Sequence, residues 1–139
     1  MKKVYLLSSL KNTSIPHVGN ELREQGFEVF DDWYAAGYEA DDRWQEYEKI
    51  RGRSYEEAIY GHHATDVFEF DLEHLMSSDL AVMVMPCGKS GHLEFGWFVK
   101  DKPGFVLFDK EPDRYDLMYR FATGIAFSIE RLQQMMEEY

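Results

Sequence analysis

The apolar run LAVMVM, from Leu80 to Met85, limits the fold more than any other part of this sequence. The run is continuous and is bounded by Asp79 and Pro86. A strand with one solvated face would instead alternate apolar and polar residues. A continuous run is typical of a central strand that is buried on both faces, as in a parallel sheet with helices on each side. We therefore expect a layered α/β protein.

Other segments of the chain support this expectation. Shorter apolar runs predict further strands, and helical patterns alternate with them. The predicted strands are 4–9, 27–31, 80–85, 104–108 and 124–127. The predicted helices are 15–25, 42–60, 65–78, 91–100, 115–123 and a last one that Ser128 caps. This alternation predicts a parallel sheet covered on both faces, in one domain over the 139 residues.

Composition and charge argue against several functions. A formal net charge of -11 argues against binding to nucleic acid, which needs a basic face. No apolar run approaches the ~20 residues that span a bilayer, and the apolar part of MKKVYLLSSL is shorter than a signal-peptide core. The single cysteine, Cys87, excludes an internal disulfide and fits a reducing compartment. We expect a cytoplasmic protein that does not bind a membrane.

An acidic and aromatic segment, residues 32–66, is the least regular part of the chain. Its aromatic residues Trp33, Tyr34 and Trp44 suit two roles. They could stack on a nucleobase, or they could cover an edge of the sheet. The sequence leaves both roles open.

The loop after the central strand lies in MPCGKSGHLEFGW, Met85 to Trp97. Ligands of parallel sheets bind beyond the carboxyl ends of the strands, where we expect three loops to meet: 8–13, 31–38 and 86–91. The string GKS is not a Walker A loop, because Met83 occupies the position of its first glycine. A nucleophile elbow of the form G-x-S-x-G fails at His92.

Neither the cysteine nor the histidines predict a site. A nucleophilic Cys87 would need a base and an activated thiolate, and a lone cysteine after a buried strand more often serves packing. The five histidines lack the spacing of a metal site, and the adjacent His62 and His63 point apart on a helix. We expect neither a metal nor a cofactor.

Glu94 is the remaining candidate in this stretch, and two roles fit it. With Gly91 as the N-cap, Glu94 would be the third helical residue, where the helix dipole favours the ionised form. Gly91 and Gly96 would also let a ligand approach the backbone. At the same position, however, a glutamate often closes a capping box, which is a structural role.

Asp71 supplies a second carboxylate. In the predicted helix 65–78 an apolar stripe runs through Phe68, Leu72 and Leu75, and a rotation of 100° per residue puts Asp71 on its flank. A partly buried aspartate is costly unless it is paired or used, and its structural alternative is a salt bridge or a cap. Two carboxylates in unlike surroundings suit a nucleophile and an acid/base.

The ordered segments DLEHLMSSDLAVMV and SGHLEFGW resemble the nucleoside 2-deoxyribosyltransferase superfamily, which includes the deoxynucleoside 5′-monophosphate N-glycosidases. The family pattern has an aspartate on a helix, a second aspartate before an apolar strand, and a glutamate followed two residues later by glycine. Asp71, Asp79, Glu94 and Gly96 match it in order. The first strand also resembles that of the family, and the segment 32–66 does not.

The resemblance implies a flavodoxin-like three-layer sandwich with a five-stranded parallel sheet in the order 2-1-3-4-5. It implies cleavage of the N-glycosidic bond of a nucleoside or nucleotide, with transfer to another base or to water. Glu94 would attack the anomeric carbon, and Asp71 would protonate the departing base. The implied substrate contacts are Tyr5, Ser9, Asp79, Gly88, Ser90, Gly91 and Met118.

The resemblance also bears on the 5′-phosphate and on assembly. Nucleotide-cleaving members hold the phosphate with a serine where this chain has Gly88, although Lys89, Ser90 and the loop amides could replace it. Asp116 is the nearest match to a phosphate contact from a neighbouring subunit, and it would repel phosphate. Family members share sites between subunits, so we expect at least a dimer, with residues 115–119 as a candidate to reach a neighbour's pocket.

Three alternatives stay open from the sequence. A TIR-like NAD glycohydrolase also uses a glutamate on an α/β fold. A non-catalytic nucleotide-binding or signalling module would account for the unusual segment 32–66. In a purely structural protein, Asp71 and Glu94 would be capping residues. The sequence does not specify the base, the sugar or the acceptor.

Overall fold

A five-stranded, fully parallel sheet forms the centre of the computed structural model, which describes residues 1–139. Its strands are β1 (Lys3–Leu7), β2 (Glu28–Phe30), β3 (Leu80–Val84), β4 (Gly104–Leu107) and β5 (Gly124–Ala126). The spatial order is β2-β1-β3-β4-β5, and every neighbouring pair is parallel. The predicted fold, a three-layer α/β sandwich with strand order 2-1-3-4-5, is confirmed.

Six α-helices connect and cover these strands. They are α1 (Ile15–Gln25), α2 (Ala40–Ile50), α3 (Tyr55–Ile59), α4 (His62–Ser77), α5 (Lys89–Val99) and α6 (Ile129–Met136). Two short 3₁₀ helices occupy Asp32–Ala36 and Leu117–Phe121. None of the helices has the length and apolar character that crossing a bilayer requires.

The strand β3 is buried along its whole length, as its sequence predicts. Leu80, Val82 and Val84 pack on the face that α1 and α6 cover. Ala81 and Met83 pack on the opposite face, against α4 and α5. Because successive side chains of a strand point to opposite faces, a strand with both faces covered by helices has to be apolar throughout.

Several helix ends differ from the sequence prediction. The helix α1 matches it, and Gly26 ends it with a φ of 108°, a conformation that favours glycine. The helices α4 and α5 begin earlier than predicted, at His62 and Lys89. The predicted helix 115–123 is wrong, because only the 3₁₀ turn Leu117–Phe121 forms before the backbone extends into β5.

The predicted helix 42–60 is also wrong, because the chain breaks it into α2 and α3. Gly52 lies in the break with a φ of 74°, which disfavours other residues. Ser54 then starts α3 with a capping box, accepting from the backbone N–H of Glu57 while the Glu57 carboxylate accepts from the backbone N–H of Ser54. The break therefore follows from local turn and capping chemistry.

Two aromatic residues at the start of the segment 32–66, Trp33 and Tyr34, pack against the core. The indole N–H of Trp33 donates to the carbonyl of Leu6 at 2.7 Å, at the carboxyl end of β1. Its ring also meets Tyr34 edge-on, and both residues pack against the core. Trp44 is half-buried on α2. Trp33 and Tyr34 thus cover the edge of the sheet, the second of their two predicted roles.

A buried carboxylate holds the turn between α2 and α3. The Glu48 side chain is 5% exposed and accepts from Arg51 at 3.4 Å and from Arg53 at 3.3 Å. Removing one partner of a buried ion pair leaves the other charges without compensation. Replacing Glu48 by alanine should therefore lower the free energy of unfolding by about 2 kcal/mol in urea titrations, since both arginines are partly solvated.

The matched control for this prediction is Glu39→Ala. Glu39 pairs with Arg43 in an exposed i,i+4 bridge, in which the Arg43 side chain is 75% exposed. Such pairs are worth only ~0.3–0.5 kcal/mol. Equal losses from the two substitutions would mean that Glu48 does not hold this turn.

Candidate active site

The loops that follow β1 and β3 are joined by hydrogen bonds at the carboxyl edge of the sheet. The Ser8 hydroxyl donates to the carbonyl of Val84 at 2.8 Å, and the Asn12 amide donates to the Ser8 oxygen at 3.0 Å. Asn12 is buried. Sequence reasoning missed Ser8 and Asn12 as individual residues, although it predicted that their two loops would meet. They fix the floor of the crevice.

Glu94 points from α5 toward β1. Its Oε2 accepts a hydrogen bond from the hydroxyl of Tyr5 at 3.1 Å. The Tyr5 ring is buried in the core between the sheet and the helices α4 and α5. The pKa of the Tyr5 hydroxyl is raised by its burial and by the nearby charges of Glu94 and Asp71, so it stays a donor. Tyr5 thus holds the Glu94 carboxylate in place.

Burial of Glu94 raises the pKa of its carboxyl to about 7, while the Tyr5 hydrogen bond lowers it and the charge of Asp71 raises it. The expectation that the helix dipole keeps Glu94 ionised is wrong. Gly88, not Gly91, is the N-cap of α5, so Glu94 lies in the second turn, where the dipole and the free amides no longer dominate. The capping-box role is wrong for the same reason.

Asp71 lies on α4 and faces the same region. Its charge acts on both Tyr5 and Glu94. Burial raises the pKa of the Asp71 carboxyl, and His74 lowers it. The predicted stripe was misplaced in one respect, because Phe68 is exposed. Asp71 and Glu94 are therefore brought together, from two helices, with carboxyl groups that hold protons more tightly than in water.

Cys87 borders this carboxylate pair. Burial and the charge of Glu94 raise the pKa of the Cys87 thiol to about 11, which keeps it in the unreactive thiol form. Its sulfur lies where a side chain on residue 91 would be, since a Cβ on Gly91 would overlap it. Gly91 is therefore needed for close packing of α5 on the loop, and the packing interpretation of Cys87 is supported.

His92 connects α5 to the 3₁₀ helix Leu117–Phe121. Its Nδ1 lies 2.8 Å from the carbonyl of Gly88, and its Nε2 lies 2.9 Å from the hydroxyl of Tyr119. The ring of Tyr119 packs edge-on against Phe108. The sequence predicts no site at His92 and does not single out Tyr119.

The remaining predicted contacts separate into two groups. Ser9, Gly88 and Ser90 lie at the carboxyl edge of the sheet, on the loops or at the first turn of α5. Met118 is exposed on the 3₁₀ helix that Tyr119 ties to α5.

The prediction that Asp79 contacts the substrate is corrected by the structure. Asp79 lies before β3, and its carboxylate accepts from the backbone N–H of Lys3 at 2.9 Å. Lys3 begins β1, so this contact is at the amino edge of the sheet, opposite the edge where the loops meet. Asp79 thus joins the starts of two strands and does not belong to the site.

No group of three or more histidine, cysteine, aspartate or glutamate side chains is arranged to hold a metal ion. The chemistry available at this site is that of two carboxyl groups, a tyrosine hydroxyl and the free backbone N–H groups at the start of α5. Such a set can supply a nucleophile, a proton and an anchor for an anionic or hydroxyl group.

Solved structures share this fold. A 2-deoxyribosyltransferase of the psychrotolerant bacterium Bacillus psychrosaccharolyticus superposes with a TM-score of 0.63 at 20% sequence identity, over 94% of this chain and 90% of that chain. The CMP N-glycosidase BcmB of Clostridium botulinum gives a TM-score of 0.60 at 17% identity, over 99% of each chain. No protein-family model and no curated protein sequence matches the chain. At these identities the likeness establishes a common fold over nearly the whole chain.

The raised pKa of Glu94 predicts a pH-dependent stability difference. Because the folded pKa, about 7, lies above the ordinary value of 4.5, this group favours the folded state at low pH and loses that contribution as pH rises through about 7. Glutamine is neutral and can still accept from Tyr5. The free energy of unfolding of Glu94→Gln should therefore exceed that of wild type by about 2 kcal/mol at pH ~8. At pH ~5 the two should be similar.

Urea titrations at the two pH values measure this difference. Glu69→Gln, at an exposed position of α4, provides the control and should leave stability unchanged at both. A Glu94→Gln variant that is no more stable than wild type at the higher pH would show that burial does not disfavour the ionised carboxyl.

Proposed function

We propose that this protein cleaves the N-glycosidic bond of a nucleoside or nucleotide, with ribose or 2-deoxyribose, and transfers the sugar to another base or to water. The observation that carries the proposal is the pairing of Glu94, which accepts from the buried Tyr5, with Asp71, whose charge acts on the Glu94 carboxyl. The carboxyl pair has the two protonation roles that glycosidic cleavage needs.

In the first step, ionised Glu94 attacks the anomeric carbon. A bond forms between its oxygen and C1′, and the C1′–N bond breaks with its electron pair leaving on the base. Asp71 in its protonated form donates a proton to the departing base. Burial raises the pKa of this carboxyl, which is the direction that an acid requires. The developing oxocarbenium charge is stabilised by the adjacent carboxylate. The product is a covalent glycosyl–Glu94 ester with inverted configuration.

In the second step, water or another base attacks C1′ from the opposite face and displaces Glu94. Asp71, now ionised, takes the proton of the attacking water or base. Configuration is restored, and both carboxyl groups return to their starting states. The Tyr5 hydroxyl holds Glu94 throughout and stabilises its charge each time it leaves the sugar.

The fold likeness supports this proposal independently of the site. One of the similar structures is a 2-deoxyribosyltransferase and another is a CMP N-glycosidase. Both cover nearly all of this chain, which supports the proposal that residues 1–139 form one catalytic domain of the nucleoside 2-deoxyribosyltransferase type. On this view the protein is an enzyme of nucleotide metabolism, in keeping with the expected cytoplasmic location.

Substrate contacts follow from the loops around the pair. Ser9 lies beside the sugar, and Gly88, Ser90 and Gly91 offer the free N–H groups at the start of α5 to the 5′ end. Lys89 is exposed beside them and adds a positive charge.

We also propose at least a dimer with shared sites. Large apolar side chains are exposed on α4 and α5, with Phe68 at 64%, Leu93 at 77% and Trp97 at 54%. A further group is exposed on the 3₁₀ helix, formed by Leu117, Met118 and Phe121. Exposed apolar surface of this extent marks interaction sites. Residues 115–119, including Met118, are the part proposed to reach a neighbour's pocket.

A panel of nucleosides and 5′-monophosphates, each with and without a second base, tests the proposal by chromatography of the released and exchanged bases. Wild-type protein should release base from at least one member. Glu94→Gln should lower that rate by about a thousandfold or more, and Asp71→Asn by about a hundredfold or more, because each removes a reacting group.

The control is Glu69→Gln on the outer side of α4, which should retain the wild-type rate. Wild-type rates in Glu94→Gln would contradict the proposal. The same panel separates the alternatives: turnover of NAD alone would identify the TIR-like reaction, and binding of nucleotides without any turnover would identify a non-catalytic module.

A further inference from the structure

His92 and Tyr119 form a hydrogen-bonded pair, and the bond from His92 to the Gly88 carbonyl can run in only one direction. The carbonyl of Gly88 can only accept, so His92 Nδ1, at 2.8 Å, carries a proton. In the neutral ring the other nitrogen, Nε2, then has a lone pair and accepts from the Tyr119 hydroxyl at 2.9 Å. The hydroxyl proton of Tyr119 is therefore directed at His92, and its oxygen lone pairs remain free.

The Tyr119 hydroxyl belongs to the surroundings of the site. Burial and the charge of Asp116 raise the pKa of the Tyr119 hydroxyl, so the group stays protonated. The pair also holds the carbonyl of Gly88, the residue that caps α5. Its position is thus beside the start of α5, where the 5′ end of the substrate is placed above.

We propose that His92, by setting the direction of the Tyr119 hydrogen bond, determines whether the site accepts a 5′-hydroxyl or a 5′-phosphate. This inference rests on the proposed function, because it uses the orientation of the sugar over Glu94.

The choice between the two ligands depends on which groups donate and which accept. With His92 neutral, Tyr119 offers only lone pairs to a ligand, so it can accept a hydrogen bond from a 5′-hydroxyl. A dianionic phosphate is disfavoured, because its oxygens and the Tyr119 oxygen would both be acceptors. With His92 protonated, both ring nitrogens donate, and Tyr119 accepts from Nε2. The Tyr119 hydroxyl is then free to donate to the ligand, where it can form a charge-assisted hydrogen bond with a phosphate oxygen.

Other ionisable groups lie on the elements that adjoin the pair. On α5 they are Lys89 and Glu94, in the preceding loop Cys87, and before the 3₁₀ helix Asp116. The ligand contributes as well, since a phosphate monoester has its second pKa at ~6. A test must therefore compare variants that differ at His92 alone.

His92→Gln provides this comparison. The glutamine amide can donate to the Gly88 carbonyl, and its oxygen can accept from Tyr119, so both bonds of the neutral histidine are retained. Glutamine cannot take up a proton, which fixes the pair in the hydroxyl-accepting state. Tyr119→Phe, the second variant, removes the hydroxyl and with it the discrimination.

Binding is measured by calorimetry in the Glu94→Gln background, with the common 2′-deoxynucleosides and their 5′-monophosphates at pH ~5.5 and ~8. The affinity ratio of phosphate to nucleoside should rise by about tenfold on acidification when His92 is present. It should rise by less than about threefold with His92→Gln, and Tyr119→Phe should show the same small change. Nitrogen NMR should find the His92 proton on Nδ1 at pH ~8.

Three results would overturn the inference: an equal change of the ratio with and without His92, no binding of either ligand class at both pH values, or a proton on Nε2 at the higher pH. Failure of the proposed function gives a different pattern. If the ratio changes as predicted while wild-type protein releases no base, only the catalytic proposal fails. If base is released but the affinity ratio changes with pH to the same extent with and without His92, only this inference fails.

Discussion

The burial of β3 on both faces is the constraint on which the rest of the structure depends. A strand of five apolar residues needs helices above and below it, and the right-handed crossovers that supply them bring every strand into a parallel sheet. All carboxyl ends then meet at one edge, where the loops after β1 and β3 are joined through Ser8. The crevice of the site is thus a consequence of the core.

The same packing sets the protonation of the carboxyl pair. The helices α4 and α5 cover one face of the sheet, so the carboxyl groups that they carry toward it lose water. The pKa of Glu94 rises to about 7 and that of Asp71 also rises, while Tyr5 offsets part of the cost for Glu94. A buried carboxyl near neutrality can act as a nucleophile in one step and a leaving group in the next.

Patterns that depend on burial were readable from the sequence, as were the caps at Gly26 and Ser128, whereas one helix break and two long-range contacts were not. The apolar run 80–85 and the alternation of elements predicted a parallel sheet, and position on the predicted helices made Asp71 and Glu94 candidates. The family resemblance supplied the strand order and the roles of the two carboxyl groups. The break of the helix 42–60 was missed because a capping box at Ser54 competes with helix propensity. Asp79 was misassigned because order along the chain does not report which edge of a sheet a residue occupies. The contact between His92 and Tyr119 spans 27 positions and has no sequence pattern.

The central claim is that Glu94 becomes bonded to the sugar, and trapping of that bond tests it most directly. A 2-fluoro-substituted nucleoside slows formation and breakdown of an oxocarbenium-like transition state, and a good leaving group restores the first step only. After incubation, peptide mass spectrometry should find the added sugar on Glu94, and no adduct in Glu94→Gln. An adduct on Asp71 instead, or base release from a true substrate with no adduct at any residue, would contradict the account.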